Sequence, residues 1–121
     1  MPSVLIVEDD LETRMAVEAM LEEAGLEDIQ SVTDGSKALD YLKDSTPDLM
    51  TLDLMMPNTD GFGVLRALRL GDVIRPGHVI VMSAHANKAD QESVILLGAD
   101  QFLAKPFTFV QLEEALNNSV L

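Results

Sequence analysis

The sequence predicts a doubly wound α/β domain, a parallel sheet covered by helices on both faces. Two observations predict it. Short apolar runs alternate with segments of helical periodicity five times between residues 1 and 121, with no linker or low-complexity tract between them. Four of those runs stop at polar residues, at Glu8, Asp53, Ser83 and Lys105, the behaviour of strands buried along their length that surface at one rim.

The first run, Val4-Leu5-Ile6-Val7, is β-branched and fits a strand buried on both faces; Glu8-Asp9-Asp10 follow it. Residues 11–24 have helical spacing, with Leu11, Met15, Ala19 and Met20 on the predicted inner face, Asp10 as N-cap and Gly25 as the stop. Residues 29–32 form a weaker second strand. Asp34-Gly35-Ser36 reads as a turn, and 37–43 as a short helix carrying Ala38, Leu39, Tyr41 and Leu42 until Ser45-Thr46-Pro47 ends it.

Residues 49–53 are the third strand. A loop at 57–61 leads to a helix over 62–70 with Val64, Leu65 and Leu68 inward. Gly71 and Pro76-Gly77 mark a connection to the fourth strand at 79–82, which ends at Ser83-Ala84. A helix from Asn87 or Lys88 to Leu97 closes at Gly98; 101–104 form the fifth strand, followed by Lys105-Pro106. Thr108 with Gln111 three residues on is a capping-box signature for a last helix reaching about Ser119. Right-handed crossovers and two-sided coverage give a single flavodoxin-like (βα)5 domain with strand order 2-1-3-4-5.

That order reverses the winding between strands one and three, and a crevice opens there. Glu8, Asp9 and Asp53 should converge in it, flanked by Ser83 and Lys105. At ~4 Å and an effective dielectric near 20, each carboxylate pair repels by roughly 4 kcal/mol. A hard divalent cation relieves that repulsion, and an all-oxygen donor set suits Mg²⁺. Read as ordinary structure, Glu8 and Asp9 would be helix-start acids, Asp53 a cap of the next turn, Ser83 a cap of the following helix, and Lys105 a surface lysine. Their convergence on one rim favours the site. Ser83 as hydroxyl donor and Lys105 as mobile cation suit a phosphoryl group, and Lys105 can pair with Asp53 while none is present.

Composition narrows the function classes. The 121 residues are 47% hydrophobic, enough for one core, and contain no Cys, which removes disulfides and thiolate chemistry. The formal net charge of −13 opposes direct binding to nucleic acid or anionic lipid. No apolar run approaches membrane-spanning length and Met1-Pro2-Ser3 carries no basic residue of a signal peptide, so a cytoplasmic protein is expected. His78 is expected at the surface; His85 follows the Ser83-Ala84 loop within reach of the site, with a surface role the expected one; neither has a partner for a zinc site.

The constellation resembles the receiver domain of two-component response regulators. The matching residues are Val4-Leu5-Ile6-Val7-Glu8-Asp9-Asp10, Leu52-Asp53-Leu54-Met55-Met56-Pro57 with Asp60-Gly61, Met82-Ser83-Ala84 and Lys105-Pro106-Phe107, spread over essentially the whole chain. The resemblance implies that residues 1–121 are one phosphoacceptor domain. Asp53 would take a phosphoryl group from a sensor histidine kinase or a phosphotransfer protein, as a carboxylate nucleophile. Glu8, Asp9, Asp53 and the Met55 backbone carbonyl would hold Mg²⁺, while Met56 packs under the loop. Ser83 and Lys105 would bind the phosphoryl oxygens, Phe102 would be the aromatic switch, and the Lys105–Pro106 bond would be cis.

The resemblance further implies a signalling switch rather than a metabolic enzyme, catalysing only its own phosphorylation and dephosphorylation. It would be read through the face formed by helix four, strand five and helix five, by a downstream protein or by an output domain missing from this chain; a homodimer through that face is also open to it. Three positions depart from the commoner pattern: Glu8 for Asp, Ser83 for Thr, and Phe102 for Tyr, which leaves a switch that works by packing alone. A Mg²⁺-dependent phosphatase on a similar sheet would want an acid two residues after the nucleophile, where Met55 stands. A flavin carrier would want a Ser/Thr/Gly-rich loop where Glu8 and Asp9 stand, and a pseudo-receiver would not need the acids and lysine intact.

Overall fold

A computed structural model describes residues 2–56 and 58–119. Its elements run β1 (Ser3–Val7), α1 (Leu11–Glu23), β2 (Asp28–Val32), α2 (Gly35–Asp44), β3 (Leu49–Asp53), α3 (Gly61–Leu70), β4 (His78–Ser83), α4 (Lys88–Leu96), β5 (Gln101–Ala104) and α5 (Phe109–Asn117). Every strand pairing is parallel, and the order is β2-β1-β3-β4-β5. The predicted alternation and strand order are both observed.

Side chains alternate across the sheet and build two cores. Leu5, Val7, Met50, Leu52, Val79 and Val81 face α2, α3 and α4. Val4, Ile6, Leu49, Ile80 and Met82 face α1 and α5. Each central strand is therefore apolar on both faces, which explains why β1, β3 and β4 read as continuous rather than alternating runs.

Local signals fix the helix starts. Asp10 accepts from Thr13 N at 2.9 Å, Asn87 from Asp90 N at 2.8 Å, and Thr108 from Gln111 N at 3.2 Å, the last completing the predicted capping box. The stretch expected as a turn at 34–36 is different: Asp34 is the N-cap of α2, and Gly35 and Ser36 lie in its first turn. The inner face of α1 also differs. Leu11 and Met15 are 58% and 60% exposed, and the buried residues are Val17 and Leu21. This helix carries apolar residues on two faces, so spacing alone chose the wrong stripe; the face meeting β1 and β3 prevails by area buried.

His78 is a further correction. It opens β4 with its side chain 14% exposed. Its Nε2 lies 2.7 Å from Gln101 Nε2, whose amide also donates to Ala115 O at 2.7 Å. Beside it Asp100 accepts from Val79 N at 2.8 Å and from Arg75 Nη2 at 2.6 Å, fastening the α4–β5 turn to the start of β4. Burial works against the Asp100 carboxylate, but the Arg75 and Val79 hydrogen bonds outweigh it and hold its pKa below the ordinary 3.8. Its contribution is thus present above pH 3.8 and lost as pH falls through the lower folded value. Asp100→Ala is expected to lower stability by about 1–2 kcal/mol at pH 7, discounted for solvent exposure, with the deficit shrinking under strong acid in urea unfolding.

Candidate functional site

The sheet order puts the ends of β1 and β3 side by side, with Val7 level with Leu52. The next residues along the chain from these two are Glu8 and Asp53. Continuing the pleat, Glu8 follows Val4 and Ile6, Asp53 follows Leu49, and Lys105 follows Leu103, all on the α1 and α5 side. Alternation along three strands therefore aims one side chain from each at the same place.

Lys105 Nζ lies 2.6 Å from Glu8 Oε1 and 3.3 Å from Asp53 Oδ1. The pairing with Asp53 was expected; the shorter contact with Glu8 was not. Glu8 and Asp53 are 4% and 7% exposed. Asp9 stands at the solvent edge, and Glu8, Asp9 and Asp53 each offer an oxygen within 4.8 Å of the others. Lys105 offsets one of the three negative charges, which leaves a net deficit of positive charge among these four side chains.

The electrostatics follow from that crowding. Burial is the main cause that raises the Glu8 pKa above 4.5, the Asp53 charge adds to it, and the hydrogen bond from Lys105 opposes it. For Lys105, burial favours the neutral amine, but Glu8 and Asp53 together reverse this and raise its pKa above 10.5. Arg14 Nη1 donates to the Glu8 carbonyl at 3.1 Å and fixes the backbone from which Glu8 and Asp9 project.

Ser83 and Phe102 belong to the other face. Ser83 lies fully buried at the end of β4, and its Oγ accepts from His85 N at 3.0 Å, with the His85 side chain at the surface. Phe102 is partly buried against the core that contains Val81 and Val94, and it pairs in register with Val81. Lys105 N donates to Ser83 O at 2.9 Å, so the backbone joins the two groups. The Lys105–Pro106 bond is cis. Met55 is 56% exposed and Met56 packs against the core, while Pro57 lies outside the described residues.

Gly61 closes the loop that follows Asp53. Its N–H donates to Leu54 O at 3.0 Å, and a Cβ there would lie 2.5 Å from Asp53 O, so only glycine fits against the strand end.

The sequence profile of the response regulator receiver domain matches residues 4–117. The chain belongs to the response regulator receiver domain family.

Its relatives among known proteins agree. It is 37% identical over 111 residues to the transcriptional regulatory protein PrrA of Mycobacterium tuberculosis, covering 92% of this chain and 46% of that protein. It is 31% identical to a probable chemotaxis protein CheY of Rhizobium etli, covering 93% of this chain and 88% of the relative. The receiver domain thus spans less than half the length of several regulators it matches. Among solved structures, a Francisella response regulator receiver domain superposes with a TM-score of 0.86 at 30% identity, covering 97% of this chain and 94% of the other. The receiver domain of a sensor histidine kinase from Pseudomonas aeruginosa superposes at 0.84 with 29% identity, covering 96% and 94%, and it holds a magnesium ion in its active-site cleft.

Receiver domains are phosphorylation-dependent signalling domains of two-component systems, not metabolic enzymes, and the Pseudomonas one carries Mg²⁺ in its active-site cleft. The donor set of this receiver domain fits that ion. Its three acids offer only hard oxygens, which lie within 4.8 Å of one another, near enough for small side-chain movements to bring all three onto one such ion. No helix among the described residues is long and apolar enough to cross a membrane.

Sequence reasoning overlooked one part of this receiver site, the fastening of the β3–α3 loop to α2. Asn58 Nδ2 donates to Asp34 Oδ2 at 3.0 Å, and Gly35 N donates to Thr59 O at 2.9 Å. The usable signal was Asp34 directly before a helical segment, a cap pattern that the following Gly-Ser disguised as a turn.

Proposed function

We propose that residues 1–121 act as one phosphoacceptor domain, in which Asp53 receives a phosphoryl group from a sensor histidine kinase or a phosphotransfer protein. The observation that carries this reading is the Asp53 carboxylate at the strand rim, 3.3 Å from Lys105 Nζ and clustered with Glu8 and Asp9. A carboxylate oxygen of Asp53 forms the new P–O bond as the P–N bond of a phosphohistidine breaks; the departing imidazole keeps the electron pair and takes up a proton. Glu8, Asp9, Asp53 and the Met55 carbonyl would hold Mg²⁺, which would supply positive charge for the phosphoryl oxygens.

The chain's own residues do the rest. Lys105 moves its ammonium from Glu8 and Asp53 onto a phosphoryl oxygen. The Ser83 hydroxyl, whose oxygen accepts from His85 N, has its proton to donate to another. Drawing Ser83 toward the acyl phosphate opens space on the α4 side of the sheet, and Phe102 turns in to fill it. The α4–β5–α5 face changes with it, shifting a two-state equilibrium that a downstream protein or a further output domain reads. Exposed Ile95 on α4 and Val110 on α5 offer apolar contact points, for a partner or for a second copy. The same groups support autophosphorylation and dephosphorylation, and a cytoplasmic location suits such a partner.

The test is labelling with a small phosphodonor. Wild-type protein should take up the phosphoryl group with Mg²⁺ and not with a chelator. Asp9→Ala should weaken Mg²⁺ binding by at least about tenfold in a calorimetric titration, because it removes the exposed ligand and leaves the buried pair intact. An unchanged affinity would take Asp9 out of the metal site.

A further inference from the structure

The loop that leaves β3 at Asp53 returns at Gly61, and its described residues, 54–56 and 58–60, have no strand partner, so the sheet does not set their height over the site. The N-terminus of α2 does. Asp34 is 6% exposed and uses both carboxylate oxygens: Oδ1 accepts Lys37 N at 2.8 Å as the helix cap, and Oδ2 accepts Asn58 Nδ2 at 3.0 Å. Gly35 N donates to Thr59 O at 2.9 Å, an approach so close that a Cβ on Gly35 would lie 2.0 Å from that oxygen. Asn58 holds a left-handed backbone, φ 60°. Capping α2 requires only one of the Asp34 oxygens, and a serine would serve. The second oxygen is committed to the loop.

We infer that Asp34 is a positioning residue: together with Asn58 it clasps the β3–α3 loop and sets where the Met55 carbonyl stands relative to Asp53. The inference rests on the reading of the site given under Proposed function. Without the clasp the loop samples more conformations, and cation binding must then order it, which lowers affinity without touching a ligand.

Two variants separate clasping from folding. Asp34→Ser keeps a helix cap and gives up the second oxygen. Asn58→Gly keeps the left-handed backbone and gives up the amide. Each is expected to raise the Mg²⁺ Kd about tenfold and to speed amide exchange of residues 54–56 and 58–60 in metal-free protein. The double variant should be no worse than either single one, because both break the same contact. Asp34→Asn with Asn58→Asp restores the hydrogen bond with its polarity reversed, and should return the Kd to within about twofold of wild type. Asn87→Ala, which removes the cap of α4, should lower the urea midpoint and leave Mg²⁺ affinity unchanged.

Wild type that binds Mg²⁺ and labels, with Asp34→Ser and Asn58→Gly matching it in Kd and exchange, would overturn the clasp alone. Wild type that neither binds nor labels would overturn the site reading and the clasp together.

Discussion

Asp53→Asn should take up no phosphoryl label from a small donor in Mg²⁺, a loss of more than about 10³-fold, because the amide that replaces the carboxylate is no nucleophile. The fold should survive the change. Asn is nearly isosteric, its oxygen can still accept from Lys105, and its neutrality removes one of the charges that press on buried Glu8. Equilibrium unfolding in urea should therefore agree with wild type to within about 1 kcal/mol. Label retained in a folded Asp53→Asn protein would move the acceptor elsewhere on the chain and sink the proposed function.

Lys105→Ala should have the largest effect on stability. The ammonium is the cation that bridges Glu8 at 2.6 Å and Asp53 at 3.3 Å, and both acids are buried. Removing one partner of a buried ion pair leaves uncompensated charge. The cost is capped, because Glu8 can take up a proton instead. Starting from an ordinary 4.5, that relief limits the loss at pH 7 to about 3.4 kcal/mol, at 1.36 kcal/mol for each pH unit above 4.5.

The sign with pH follows from the two groups. The Lys105 pKa is raised above 10.5, so its contribution is complete below that pH and is lost only as pH rises through the folded value. The Glu8 pKa is raised above 4.5, so its ionisation costs stability as pH rises through the folded value, and more so once Lys105 is gone. The deficit of Lys105→Ala should be greatest near neutrality and shrink toward pH 4.5, and added Mg²⁺ should recover part of it by binding only the folded state. A deficit that stays constant across this range would mean that the lysine stem, through packing, is what the fold misses.

Much of the site was legible in the chain itself, for a particular reason. Glu8, Asp53, Ser83 and Lys105 each stand at or just past the carboxyl end of a strand, and in a parallel sheet every such position lies on one rim. Strand order then selects neighbours, and the right-handed crossover rule leaves few orders to choose from. What escaped were contacts between residues far apart in sequence that no period announces. The Glu8–Lys105 contact spans 97 positions and the Asp34–Asn58 clasp 24. His78 was misplaced for the same reason: its neighbours Asp100 and Gln101 come from another strand connection.

Helix α1 marks the boundary between the two kinds of knowledge. Its existence and its Asp10 cap are local matters, settled within a few residues by spacing and side-chain chemistry. Which stripe it buries is not local, since Leu11 and Met15 satisfy helical spacing as well as Val17 and Leu21 do. The sequence by itself determined the alternation of elements, most of their caps, and the set of polar residues delivered to the rim, because periodicity and capping act over one or two turns. Only the tertiary structure decided which face of α1 is buried, that Lys105 lies closer to Glu8 than to Asp53, and that α2 holds the loop above the site, because those outcomes depend on distances between separate elements.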